Sequence, residues 1–240
     1  MKLIFPPIEA ASPAELRDRL ALTPIHVVRR PTRRTHASRE LYSSARTFAT
    51  LSESPLLVFP LTIEFRDGPD LALHMPAASI GIECTDAVAE EWAAILDLRA
   101  REYPGAVIFL PRLQPDVRSL SQEELRAYAS GDKAGPPWIG DSVERDWAKA
   151  ILHFAEKKAE KLRNGAYSAF AENWLLVHDE WAMHPTSVEK QGIAASLLAQ
   201  SSAPLFSAPC FSRVLVEGSK WLTSLTGESH EITPIIDLWN

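Results

Sequence analysis

At 240 residues, 46% of them hydrophobic and 23% charged, the chain has the composition of an ordinary globular protein long enough to bury a sizeable core. No apolar run approaches the roughly 18 residues a membrane span requires, and the opening MKLIFPP, which meets its prolines early, is not expected to act as a secretory signal. A net charge of −6 excludes a polycation that coats nucleic acid indiscriminately, and two cysteines, Cys84 and Cys210, are too few for a disulfide scaffold, so a cytoplasmic setting is expected.

Residues 1–36 read as an irregular Pro- and Arg-rich arm containing one short helix, PAELRDRLAL. Its end and the helix after it hold Arg29, Arg30, Arg33, Arg34, Arg39 and Arg46 against the single acid Glu40. Such a run is commonly a solvated loop and helix start; the sharper reading makes Arg33, Arg34 and Arg39 phosphate contacts, a role suited to bidentate guanidinium groups. Ser38 can cap a helix to about Leu51, with Leu41, Ala45 and Phe48 on one side. PLLVFPLTIEFRDG then reads as a strand ending in an Asp67-Gly68 turn, and PDLALHM and SIGIECT as a strand pair joined at Pro76-Ala77-Ala78.

Asp86 is expected to start a helix, DAVAEEWAAILDLRAREY, and GAVIFLP to form a short central strand. Residues 114–140 read as irregular. A long helix is expected over about 141–163, closed by Asn164-Gly165, followed by strand NWLLVHD, helix TSVEKQGIAASLLAQ and strand CFSRVLVEG. This order describes an α/β protein with a mixed sheet flanked by helices, one domain over 37–240 preceded by the arm.

The chemistry-bearing signal lies in GPDLALHMPAASIGIECT. Glu83 interrupts a strand where an aliphatic residue would avoid desolvation altogether, and Asp70 opens the neighbouring strand. An ionised carboxylate in an apolar strand is expensive unless paired or metal-bound. In an antiparallel pair the two acids can converge, and two carboxylates with a main-chain carbonyl make a hard-oxygen site suited to Mg²⁺.

Pro69-Asp70 followed by Glu83-Cys84-Thr85 resembles the motif of the PD-(D/E)XK nuclease superfamily, the restriction-endonuclease-like fold. The resemblance covers roughly the middle third of the chain. It implies an αβββαβ core with a C-terminal α/β extension, and a Mg²⁺-dependent (or Mn²⁺-dependent) phosphodiesterase acting on nucleic acid, DNA in the first instance. Asp70 and Glu83 would be metal ligands, and Glu40, on the preceding helix, matches the family's additional acid. The departure is Thr85, which stands where the family places a lysine that positions or activates the attacking water.

Some relatives supply that lysine from elsewhere, and the long helix offers two. Val143, Trp147, Ala150, Ile151, Phe154 and Leu162 share one face at 100° per residue, and Lys158 and Lys161 fall within the same stripe. The commoner outcome is a packed stem with a snorkelling ammonium; the functional one brings a lysine to Glu83, with Lys161 ranked first because it lies nearer the stripe's centre. The competing expectations are a catalytically degenerate protein of the same fold, serving as a nucleic-acid- or protein-binding module, and an interaction protein acting through its acidic surface. Cys84 is expected to be a buried inert thiol, and the histidines, His178 and His184 among them, suggest no metal spacing.

Overall fold

The computed structural model describes residues 5–23, 36–109, 111–115, 119–165 and 170–239, which build a three-layer α/β arrangement. In chain order they form β1 (Ile8–Ala10), α1 (Pro13–Leu22), α2 (His36–Leu51), β2 (Leu61–Phe65), β3 (Leu71–Met75), β4 (Ala78–Val88), α3 (Glu90–Glu102), α4 (Gln122–Ser130) and α5 (Ser142–Arg163). There follow β5 (Glu172–Glu180), α6 (Val188–Ser201), a 3₁₀ turn at Ala203–Leu205, β6 (Arg213–Glu217), β7 (Trp221–Leu225) and β8 (His230–Pro234). Among the described residues the strands form one sheet in sequential order, β1 to β8. β4, β5 and β6 run parallel and every other neighbouring pair is antiparallel.

Alternation along the central strands divides the core. Ile80, Ile82 and Cys84 of β4, Trp174 and Leu176 of β5 and Leu215 of β6 join the cluster covered by α1 and α2. Ala87, Leu175, Val177, Val214 and Val216 point the other way, into the cluster under α5 and α6. Both faces of the parallel strands are therefore dry, which is why these segments read as continuous apolar runs. α3 and α4, inserted between β4 and α5, bury a small cluster of their own around Ile95, Leu98, Leu125 and Tyr128.

Several expected elements are corrected. Asp86 does not start a helix: it lies in β4, opposite His178 of β5, and the parallel pairing continues to Val88 opposite Glu180. The helix begins at Glu90, with Glu90 and Glu91 in its first turn, where negative charge is favoured. GAVIFLP forms no strand among its described residues. β5, supplied from beyond α5, occupies the β4 edge, and Val107 and Phe109 are left 72% and 59% exposed. The first long strand shortens to Leu61–Phe65, and the stretch 114–140 contains α4, started by a reciprocal Ser121–Glu124 capping box and ended at Gly131. β1 belongs to the residues expected to form an irregular arm, yet it pairs with β2, and β7 and β8 are strands beyond those expected.

Candidate functional site

Glu83 sits between Ile82 and Cys84, both of which face α2, so its own side chain projects from the opposite face, toward α5. There it meets Lys158. The ammonium Nζ donates to Glu83 Oε1 at 2.5 Å, and the two side chains are 16% and 9% exposed. Lys158 reaches the sheet because its helical neighbours Ala155, Ala159 and Leu162 are buried against it, which brings its stem inward. Lys161, ranked first from the sequence, is exposed; its charge is felt at Glu83, but the contact belongs to Lys158. Thr85, two residues along the strand, lies on the Glu83 face.

Asp70 stands one residue before β3, next to Leu71, which pairs with Ile82. β3 thus begins where β4 still continues, and Asp70 completes the edge with its side chain: Oδ2 accepts the Cys84 N–H at 2.9 Å. The Asp67-Gly68 turn delivers it there. Gly68 takes the left-handed conformation at φ 56°, and the Arg66 N–H donates to the Asp70 carbonyl at 2.9 Å. Burial, and then the neighbouring negative charge of Asp70, hold the Glu83 carboxyl above the usual carboxylate range, against the hydrogen bond and charge of Lys158 and the charge of Lys161. Burial pushes the Cys84 thiol well up, with Asp70, Glu40 and Glu83 adding to it, so this cysteine stays a protonated, inert core group.

The other expected site residues lie elsewhere. Glu40 is carried by α2, which packs on the Cys84 side of the sheet; its charge bears on Cys84 and is not among those that shift Glu83. Arg39 is partly exposed and ion-paired: its Nη2 lies 3.2 Å from Asp86 Oδ2. Arg33 and Arg34 lie outside the described residues. Among the described residues no group of three or more histidine, cysteine or acidic side chains is disposed to hold a metal ion, so the Asp70, Glu83 and Glu40 triplet expected from the sequence does not form as a unit.

A second polar cluster escaped the sequence reading. On the α2 face, beyond the apolar core, Glu217 of β6 is fully buried and accepts from Arg46 of α2 and, at 2.5 Å, pairs with His178 Nδ1. Arg46 also donates to the Ser219 carbonyl at 3.0 Å, and His178 Nε2 lies 3.5 Å from Glu180 Oε1. Burial alone would lower the His178 pKa; Glu180 and Glu217 outweigh it and carry the imidazolium up to about 10. Two cations and two carboxylates balance, and Tyr42, stacked on Trp239 at 5.4 Å, borders the cluster. The signal was present in RVLVE: Glu217 ends an apolar strand just as Glu83 interrupts one.

No protein-family model, curated protein sequence or solved structure matches the chain.

Proposed function

We propose that the chain is a metal-dependent phosphodiesterase of the nuclease type, acting on nucleic acid, with Asp70 and Glu83 as ligands for Mg²⁺ or Mn²⁺ and Lys158 in the role of the motif lysine that Thr85 vacates. The observation that carries this reading is the 2.5 Å contact between Lys158 Nζ and Glu83 Oε1, an ammonium brought from a helix to the acid of the motif. The order α2, β2, β3, β4, then α5 and β5, supports it as a restriction-endonuclease-like core with the remaining strands as an extension. Both cysteines are free thiols, in keeping with a reducing cytoplasm.

Two carboxylates suffice for magnesium, which keeps most of its coordination sphere as water. The residues would suit such an ion: burial, and then the negative charge of Asp70, raise Glu83, and a divalent cation would relieve that repulsion. Glu40 is left out of the ligand set. When bound, the ion would supply Lewis-acid stabilisation of charge developing on the phosphate oxygens and a more acidic water. The chain itself supplies the rest. Asp70 is held by the Cys84 amide and Glu83 by Lys158, so both acids are oriented before any ligand arrives. An ammonium has three N–H donors, so Lys158 would donate to an attacking water or a non-bridging oxygen in addition to Glu83.

The test is metal-induced stabilisation paired with cleavage. Mn²⁺ should raise the melting temperature of the wild type and support cutting of DNA or RNA, and Asp70→Asn and Glu83→Gln should lose both. A folded wild type that shows neither effect with single- or double-stranded substrates overturns the proposal in favour of a degenerate, binding-only relative of the fold.

A further inference from the structure

The turn that carries Asp70 closes the β2–β3 hairpin beside β4, and residues outside that ladder also pack against it. Gly81 shows which. It lies two residues before Glu83, on the same face, and a Cβ added there would fall 2.7 Å from Phe170 Cδ2 and 3.0 Å from Pro69 Cγ. The rings of Phe170 and Pro69 therefore meet in the space that the missing side chain leaves open. Phe170 is itself braced from the start of β5: its N–H donates to Asn173 Oδ1 at 3.1 Å, and Asn173 Nδ2 donates to its carbonyl at 3.0 Å. The Arg66 guanidinium lies over the Phe170 ring, 5.4 Å from its centroid. One aromatic side chain thus packs at both ends of the Arg66–Asp70 turn, and it belongs to none of the apolar clusters of the core.

We propose that Phe170 is a positioning residue for Asp70: wedged against Gly81 and Pro69 and anchored by Asn173, it holds the turn so that the Asp70 carboxylate stays on the Cys84 amide and beside Glu83. It acts through Asp70 and does not touch the substrate. The metal-binding consequence rests on the nuclease reading; the placement of Asp70 does not.

Two readouts separate these. The first is hydrogen exchange of the Cys84 amide, which donates to Asp70 Oδ2. Losing that hydrogen bond in Asp70→Ala sets the scale, and Phe170→Ala and Gly81→Ala should both approach it, speeding exchange by several-fold, a size set by the net value of a single hydrogen bond. Amides of the distant β7, such as that of Thr223, should keep their wild-type rates, and Phe170→Tyr, which retains the ring, should restore protection at Cys84. The second readout is Mn²⁺ affinity from thermal-shift titration. Phe170→Ala should weaken it by about 10–100-fold, as loss of outer supporting groups typically does, and Phe170→Tyr should leave it near wild type. The proposal is overturned if Cys84 exchange in Phe170→Ala matches the wild type, or if protection falls equally across the sheet. A wild type without any Mn²⁺ response refutes the nuclease reading alone, and the Cys84 amide still decides the role of Phe170.

Discussion

Replacing Lys158 by methionine keeps the stem and removes the ammonium, so Glu83 is left buried on a face it shares with Asp70. Removing one partner of a buried ion pair costs about 3–5 kcal/mol, because the other charge stays desolvated. Here the lysine is 16% exposed and Lys161 still acts on the acid, which argues for the lower end, about 3 kcal/mol. For a chain of this size that corresponds to a fall of about 6–12 °C in melting temperature. The loss should depend on pH. The Glu83 carboxyl already lies above its ordinary range, and the variant loses the Lys158 hydrogen bond and charge that oppose the shift while burial and Asp70 remain. An acid raised in the folded state contributes most below its unfolded value and loses that contribution as pH rises through the folded one, so the deficit should be larger at about pH 8 than at about pH 5. Thermal melts at both pH values, with Glu83→Gln and the double variant, complete the cycle. The double variant, carrying neither charge, should recover much of the loss at the higher pH. A Lys158→Met deficit below about 1 kcal/mol, equal at both pH values, would mean that the pair is only a weak surface interaction and not a buried one.

His178 should be an imidazolium at neutral pH: nitrogen NMR at about pH 8 should show both ring nitrogens protonated, and a neutral ring would contradict the charge balance with Glu217 and Glu180. Because its folded value is raised, its contribution is fully present below about 6.5 and is lost as pH climbs toward 10, so His178→Asn should be less stable than the wild type and lack that alkaline decline. For nucleic-acid binding, Arg33→Ala with Arg34→Ala should flatten the salt dependence by up to about 0.9 for each phosphate no longer neutralised. Arg39→Ala should leave the slope unchanged, since its guanidinium is engaged by Asp86; a slope that falls equally with Arg39 would show that the pair opens for phosphate.

The elements legible in the sequence are those with a strong period or a dry run: α5 ends at Arg163, before Asn164 and Gly165 as expected, and β5 and β6 fall where NWLLVHD and CFSRVLVEG placed them. The misreadings share a cause. An apolar run such as AVIFL has strand character, but a place in the sheet is awarded by the neighbours available, and β5 had taken it. β1, β7 and β8 are three to five residues long and, unlike the equally short β6, mix polar residues into the run, so nothing sets them apart from their surroundings. At the site, Glu83 could be singled out because a charge in a dry strand violates a local rule, and Asp70 by its place just ahead of the neighbouring strand. Which lysine reaches Glu83 could not be read, because Lys158 and Lys161 lie only three residues apart on one helix and differ chiefly in how deeply their flanks pack. Glu40 fitted the linear pattern but is borne by α2, and linear order is silent about which face of the sheet a helix covers.

The most direct measurement compares three proteins in one assay: wild type, Lys158→Met and Lys161→Met, each verified as folded, in single-turnover cleavage of a DNA substrate with saturating Mg²⁺ or Mn²⁺. If Lys158 takes the place of the motif lysine, its loss should slow cleavage by about 10²–10⁴-fold, the range for a positioned proton-transfer group, while Lys161→Met stays within a few-fold of wild type. Cleavage that survives in Lys158→Met, or that disappears with Lys161→Met instead, would contradict the assignment.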